Sequence, residues 1–460
     1  VSQSSAFATL NLSPAMLENL QQLGYQSMTA IQQASLPAIL QGQDVIAQAK
    51  TGSGKTAAFG LGVLQQLNPR YFGCQALVLC PTRELADQVA KELRRLARAQ
   101  DNIKILTLCG GVPFGPQVGS LEHGAHIIVG TPGRIQDHLR KGTVSFNGLK
   151  TLVLDEADRM LDMGFFDIMQ EIIQATPSKR QTLLFSATYP AGIQQLAAEF
   201  LRQPVTIKVE SQHQASQIQQ YFYEVQPEQR LTAVEQLLRH YRPDSCVAFC
   251  QTKQQCNELV AHLEQQGIAA VALHGDLEQR DRDKVLTLFS SRCTRILVAT
   301  DVAARGLDID DLPMVLNVEL ARDPEVHTHR IGRTGRAGAS GIAVSLVTPK
   351  EAYRAAAIEA QQSEPLAWYS LAALKPNYQD YTPAMQCLNI GAGRKHKLRP
   401  GDILGALTGD AGLSGAQVGK ISLFDHQAYV AVERAVARKA LQRLQEGKIK
   451  GRNLPVRFVS

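Results

Sequence analysis

The sequence predicts an α/β protein made of two similar parallel-sheet halves followed by a small α+β domain. Three observations lead there. Before residue 360, short runs rich in Val, Ile and Leu alternate with helix-length amphipathic segments, the pattern of buried parallel strands joined by helical crossovers. An internal repeat is visible, ALVLCPTRELADQVAKEL (76–93) matching CVAFCQTKQQCNELVAHL (246–263) and HIIVGTPGR (126–134) matching RILVATDVAAR (295–305). Its spacing is kept, with 51 residues from Cys80 to Thr131 and 50 from Cys250 to Thr300. Near the carboxy end the pattern becomes strand (385–391), helix (401–409), strand (418–424), strand (429–433), helix (434–446) and strand (454–459), a βαββαβ order.

These elements divide the chain at its breaks. Residues 1–208 form the first half and 221–360 the second, with the polar, Gln-rich VESQHQASQIQQ (209–220) between them as a hinge. Three prolines interrupt 361–383, a second connection, and 384–460 form the small domain. At 460 residues and 44% hydrophobic content, each part has enough apolar residues for its own core.

Composition bounds the function. No apolar run approaches the roughly 18 residues needed to cross a bilayer, and the opening VSQSSAFATL lacks the basic-then-apolar pattern of a secretory signal. The expected address is cytoplasmic. The eight cysteines are scattered, several inside strand-like runs, and none forms a CxxC pair; buried free thiols in a reducing compartment are expected, not zinc sites or disulfides. The net charge of +6 is uneven: from residue 385 onward there are 13 Lys and Arg against 5 Asp and Glu, a local +8, while the rest carries −2. A basic block of this kind suits a polyanion, and equally a solvated basic helix face.

Two motifs carry chemistry. In AKTGSGKT (Ala49, Lys50, Thr51, Gly52, Ser53, Gly54, Lys55, Thr56), glycines let the backbone wrap so that its N–H groups face phosphate oxygens. Lys55 then neutralises the β and γ charges of a nucleotide, and the Thr56 hydroxyl is placed for magnesium. TLVLDEADRM (151–160) runs an apolar strand into Asp155, Glu156 and Asp158. Delivered to the same sheet edge, Asp155 serves as the metal carboxylate and Glu156 as the base that orients water toward the γ-phosphate. A helix N-terminus also favours acidic residues; it is the pairing with the lysine loop that selects the catalytic reading.

DEAD (155–158), together with AKTGSGKT, PTREL (81–85), TPGR (131–134), SAT (186–188), ATDVAARGLD (299–308) and HRIGRTGR (329–336), resembles the DEAD-box RNA helicases in order and spacing, across about residues 7–350. The resemblance implies two tandem RecA-like domains, ATP as the nucleotide, magnesium beside it and RNA as the partner. Gln32 in GYQSMTAIQQ matches the adenine-reading glutamine, and a carboxamide does pair with N6 and N7 of adenine together. Tyr25 and Phe7 match aromatics near the base, and Ala30 stands where relatives usually have proline. Arg333 and Arg336 resemble the arginines that reach the γ-phosphate, and Asp308 the ribose contact. Asp158, Ser186, Thr188 and His329 resemble the residues that couple the halves to nucleotide state. A two-histidine metal site is the competing reading of HTHR (327–330).

RNA contacts carry over to Pro81, Thr82, Arg83, Gly110, Gly111, Thr131, Pro132, Gly133 and Arg134 in the first half. In the second they fall on Thr252, His274, Gly275, Arg282 and Thr300. Hydroxyls, arginines and backbone amides suit phosphate and ribose oxygens and read little base identity, although some of these glycines can equally be turn formers. Specificity then falls to the tail. Its element order is that of an RNA-recognition motif, but the base-stacking positions are poorly filled: HQAYVAVE offers Tyr429 alone and CLNIG no aromatic. Basic residues gather instead in GRKHKLRPGD (Arg394, Lys395, Lys397, Arg399) and GKIKGR (Lys448, Lys450, Arg452). LRPGDILGALTGDAGLSGAQVGKI resembles the carboxy-terminal domain of the DbpA type of these helicases, which implies a 23S ribosomal RNA hairpin as target, work in large-subunit assembly and local unwinding of short duplexes. A DNA helicase would share the phosphate loop and arginines, and a passive RNA-binding protein would need only the tail. Stimulation of ATP turnover by RNA against DNA separates the first, and the Glu156→Gln variant the second.

Overall fold

The computed structural model describes residues 6–459 apart from 50–51, 210–217, 305–311, 336–339, 363 and 410–411. The chain forms two compact units, one built on the amino-terminal sheet and the other holding the described residues from Ile218 on.

The first unit strings together β1 (Val45–Gln48), β2 (Ala76–Leu79), β3 (Ile105–Leu108), β4 (Ile127–Gly130), β5 (Thr151–Asp155), β6 (Gln181–Ser186) and β7 (Val205–Lys208). All pair in parallel, in the order β3-β4-β2-β5-β6-β1-β7. The central strands are buried on both faces because helices cover both, leaving one apolar core on each side of the sheet. That is why ALVL, IIVG and TLVL are continuous apolar runs rather than alternating ones.

The second unit begins with β8 (Ile218–Glu224), β9 (Cys246–Cys250), β10 (Ala270–Leu273), β11 (Ile296–Thr300), β12 (Met314–Asn317), β13 (Gly341–Val347) and β14 (Trp368–Tyr369). These strands are again parallel, ordered β10-β11-β9-β12-β13-β8-β14. Counted within each half the two orders are the same, so the sequence repeat is a repeat of topology. The 361–383 stretch, read as a connection, supplies β14 alongside β8, and its Tyr381 is buried in the second core with the hydroxyl donating to the Pro243 carbonyl at 2.5 Å.

The tail contributes β15 (Met385–Ile390), β16 (Val418–Leu423), β17 (Ala428–Glu433) and β18 (Val456–Phe458), antiparallel in the order β16-β17-β15-β18. Helices Pro400–Thr408 and Ala437–Glu446 pack on one face through Leu388, Ile390, Val430, Ile403, Leu407 and Leu444. The fold is thus the predicted pair of RecA-like sheets with an RNA-recognition-motif-like α+β domain. Among the described residues no helix is long and apolar enough to cross a membrane.

Candidate functional site

Parallel sheets present ligands at the carboxyl ends of their strands, and the motifs sit there. β1 leads into the phosphate loop. Gly54, at φ 91°, caps helix Lys55–Gln66, and Gly52 has φ 79°. Both are left-handed conformations that a side chain disfavours, and a Cβ on Gly54 would stand 2.5 Å from Gln32 Nε2. Lys55 is buried, its Nζ donating to the Ala49 carbonyl at 3.1 Å. Ser53 and Thr56 lie half-buried at the same helix start, while Lys50 and Thr51 fall outside the described residues.

Asp155 closes β5 with 2% exposure, and burial lifts its carboxyl to about 6 although the Lys55 charge pulls the other way. Its Oδ1 is buried without a hydrogen-bond partner. Glu156 turns the chain at φ 53°, ψ 50°, a left-handed conformation for a non-glycine residue, and caps helix Ala157–Asp162. Arg159 Nη1 donates to Glu156 Oε2 at 2.6 Å in a buried ion pair, a partner the sequence reading missed. An arginine one turn on along the helix was the available signal.

Asp158 is brought onto the SAT segment. Its Oδ2 accepts from Ala187 N at 3.2 Å, Thr188 N at 2.9 Å and Thr188 Oγ1 at 2.9 Å, and its own N–H donates to Ser186 Oγ at 3.3 Å. Burial alone would raise this carboxyl, but the Thr188 hydrogen bonds outweigh it and hold it below the ordinary range.

Gln32 lies in helix Ala30–Leu40 behind a capping box: its Oε1 accepts from Thr29 N at 2.9 Å and its Nε2 donates to the Gly54 carbonyl at 3.0 Å. Ala30 holds the first helical position, where proline also suits the backbone. Phe7 and Tyr25 meet edge to face with centroids 6.0 Å apart, and the Tyr25 hydroxyl bonds Glu92.

The nucleotide motifs thus occupy β1, β5 and β6, and the residues expected to contact RNA occupy the other side of the sheet. Pro81, Thr82 and Arg83 follow β2; Gly110 and Gly111 (φ 74°) follow β3; Thr131, Pro132, Gly133 and Arg134 follow β4. Thr82 caps helix Arg83–Leu96, and Arg134 is oriented by donating to the Val112 carbonyl at 3.0 Å. In the second half the equivalent strands deliver Thr252 after β9, His274 and Gly275 after β10, and Thr300 at the end of β11. Thr252 caps its helix in a capping box with Gln255, and His274 Nε2 bonds Asn257 Oδ1 at 3.1 Å. Arg282 is steered by its bond to the Ala303 carbonyl at 3.0 Å.

Helix Pro324–Ile331 carries His329, and Arg333 follows in the next turn, largely buried. Arg336 and Asp308 lie outside the described residues. The sequence reading passed over Arg330, whose Nε and Nη2 clamp both Asp301 oxygens at 2.6 and 2.7 Å, while its Nη1 donates to the Glu319 carbonyl at 2.6 Å. Asp301 sits in the ATDVAARGLD motif, so this fork ties that motif to HRIGRTGR. His327 is buried, shares a 3.3 Å hydrogen bond with Gln220, and is held neutral by burial, which lowers it to about 4.

In the tail the two basic clusters converge. Arg394, Lys395, Lys397 and Arg399 are exposed in the β15 to helix connection, and Lys448, Lys450 and Arg452 in a tight turn with positive φ at Lys450 and Gly451. Lys450 Nζ joins them, donating to the Lys397 carbonyl at 2.5 Å and lying 3.5 Å from Asp402. A groove of about 380 Å³ opens beside them, lined by Gly401, Gly405, Gly409, Arg443, Lys448 and Lys450. The opposite sheet face is covered: Tyr429, the lone stacking candidate, is 4% exposed and packs against Leu288 of the second half.

Comparison with known proteins follows this geometry. Residues 29–196 match the DEAD/DEAH box helicase family, 229–338 the helicase conserved C-terminal domain, and 387–458 the DbpA RNA binding domain. The chain is 56% identical over 456 residues to the ATP-dependent RNA helicase DbpA of Escherichia coli, covering 99% of this chain and 100% of that one. It is 43% identical to the DEAD-box ATP-dependent RNA helicase CshA of Bacillus subtilis, over 77% of this chain and 72% of that one. Among solved structures, Dbp5 of S. cerevisiae bound to RNA and ADP BeF3 aligns with a TM-score of 0.73 at 30% identity, over 80% of this chain and 96% of that one. With phosphate loop, carboxylates and doubled sheet all in the same order, the chain belongs to the DEAD-box ATP-dependent RNA helicases, of the type that carries a DbpA RNA-binding domain.

Proposed function

We propose that this RNA-stimulated ATPase and helicase is directed by its tail to a hairpin of 23S ribosomal RNA, where it unwinds short duplexes during large-subunit assembly in the cytoplasm. The observation that carries the reading is the match of residues 387–458 to the DbpA RNA binding domain, supported by two exposed basic loops joined through Lys450.

The chemistry follows from the residues. Lys55 and the N–H groups from Gly52 to Thr56 cradle the ATP phosphates, Gln32 pairs with adenine, and Phe7 and Tyr25 flank the base. Magnesium fits the donors, since Thr56 offers a hydroxyl and Asp155 a buried carboxylate oxygen that lacks a partner. When bound, the ion neutralises phosphate charge. Glu156, oriented by Arg159, accepts the proton of the attacking water, and Arg333 and Arg336 meet the charge that develops on the γ-phosphate. RNA lies along the β2, β3 and β4 ends of the first half and their equivalents in the second. Closure of the halves on ATP and RNA bends one strand so that its partner is released, and phosphate loss reopens them.

The test is turnover by the full chain with ribosomal RNA fragments, with unrelated RNA and with DNA of matching sequence. Stimulation strongest for the fragment containing the hairpin, and lost in a variant with Lys448, Lys450 and Arg452 changed to Gln, supports the reading. Equal stimulation by all RNAs overturns the targeting, and equal stimulation by DNA overturns the substrate.

A further inference from the structure

The outer face of the tail sheet is a seam. Cys387 on β15 and Tyr429 on β17 pack there against Leu288, with Val271, Cys293, Phe424 and Val459 around them. Lys420 Nζ adds a hydrogen bond of 3.0 Å to Ser290 Oγ at its margin. Cys293 lies just past helix Gln279–Ser290, after Arg292 turns the chain at φ 57°. Two thiols from different domains therefore share the seam, near enough for each to shift the other's acidity.

Their surroundings differ. Of the eight free cysteines seven are buried, and Cys293 alone is partly open to solvent. The Ser291 hydroxyl donates to Cys293 Sγ at 3.3 Å. The neighbouring Cys387 thiol first, then this Ser291 bond and the Arg434 charge, outweigh burial and hold the Cys293 thiol below its ordinary value, while Cys387 is pushed well up. Cys250 and Cys256 are likewise neighbours inside the second half, but both are fully buried.

We propose that Cys293 and Cys387 are an oxidation site, a dithiol that a hydroperoxide converts to a disulfide fastening the tail to the second half. The Cys293 thiolate attacks one peroxide oxygen, the O–O bond breaks, and hydroxide leaves with a sulfenic acid on Cys293. The Cys387 sulfur then attacks Cys293 Sγ; its proton and the departing S–O hydroxide form water as the S–S bond closes. One hydrogen peroxide is reduced to two waters, and the two sulfurs lose two electrons. Cys293 is the attacking group because it is both the accessible and the more acidic member, and Cys387 resolves because it is already in contact.

The experiment treats the full chain with stoichiometric hydrogen peroxide, alkylates the remaining thiols after unfolding and maps the peptides by mass spectrometry. The expected product links the Cys293 and Cys387 peptides within one chain, leaves the other six cysteines alkylated, and reverts with dithiothreitol. In Cys387→Ser, Cys293 is expected to stop at the sulfenic acid, captured with dimedone, and to reach sulfinic acid only when a second equivalent of peroxide is added. In Cys293→Ser the link is absent while turnover before oxidation equals the parent's. Oxidation that falls elsewhere, a link between separate chains, or a Cys293 that stays alkylatable overturns the proposal.

Discussion

The Gln32 carboxamide nitrogen donates to the Gly54 carbonyl at 3.0 Å, so the residue proposed to read adenine is bonded to the turn proposed to hold the phosphates. A methyl group on Gly54 both forces a side chain into φ 91° and stands 2.5 Å from that nitrogen. The left-handed conformation alone costs about 1–2 kcal/mol. Gly54→Ala is therefore expected to raise the KM for ATP by roughly tenfold or more. A KM within twofold of the parent's would contradict this coupling.

Asp158 accepts three hydrogen bonds from residues 187 and 188, and the Thr188 hydroxyl gives one of them. Thr188→Ala leaves the two backbone donors in place, so the carboxylate stays satisfied and ATP turnover is expected to fall by no more than a few-fold. Strand separation, measured on a short labelled duplex, is expected to fall further. Equal losses in both assays would remove the coupling role.

Arg330 and Arg333 are separable. The Arg330 guanidinium is buried while its partner Asp301 is partly exposed, so breaking the fork costs less than the roughly 3–5 kcal/mol of a fully buried pair, with the loss falling on the arginine left without its carboxylate. Arg330→Lys keeps the charge but not the two-pronged geometry, and calorimetry of the full chain is expected to show a destabilised second half. A melting profile unchanged from the parent's would make the fork dispensable.

His327 makes the second half sensitive to acid. Its folded value of about 4 lies below the ordinary 6.5, so the unfolded chain binds a proton that the folded chain refuses. The neutral, buried state is fully stabilised above about 6.5 and loses ground as pH falls from there toward 4. Between pH 7 and pH 5 the loss is about 2 kcal/mol. His327→Gln is expected to flatten that part of the stability profile, as followed by thermal unfolding at each pH.

Lys450 bridges the two basic loops of the tail. If it also meets a phosphate, Lys450→Gln lowers the slope of log affinity against log salt by about one. An unchanged slope would take Lys450 off the RNA surface.

The sequence displayed chemistry that is local. AKTGSGKT and the strand running into Asp155 are contiguous, and their physical meaning follows from spacing alone. The repeat between 76–93 and 246–263 announced the doubled topology, and the tail elements fall within a few residues of the expected spans. Contacts made at long range were not visible. Arg330 and Asp301 are 29 residues apart, and no periodicity links them. Tyr381 reads as part of a Pro-broken connection, yet its ring completes the second core because β14 first draws that stretch along β8. Glu156 reads as the base that follows the strand, and nothing in the sequence shows the left-handed turn that brings its carboxylate to Arg159. Tyr429 sits where a base would stack, and only packing tells that Leu288 stands there instead.

That seating has a mechanical result. A recognition module on a slack tether lets its enzyme sample any duplex within a sphere around the anchored hairpin. One whose sheet is packed on Leu288 of the second half works as a ruler: an RNA held by the tail stands at a set distance and bearing from that half, and duplexes elsewhere on the same RNA are out of register.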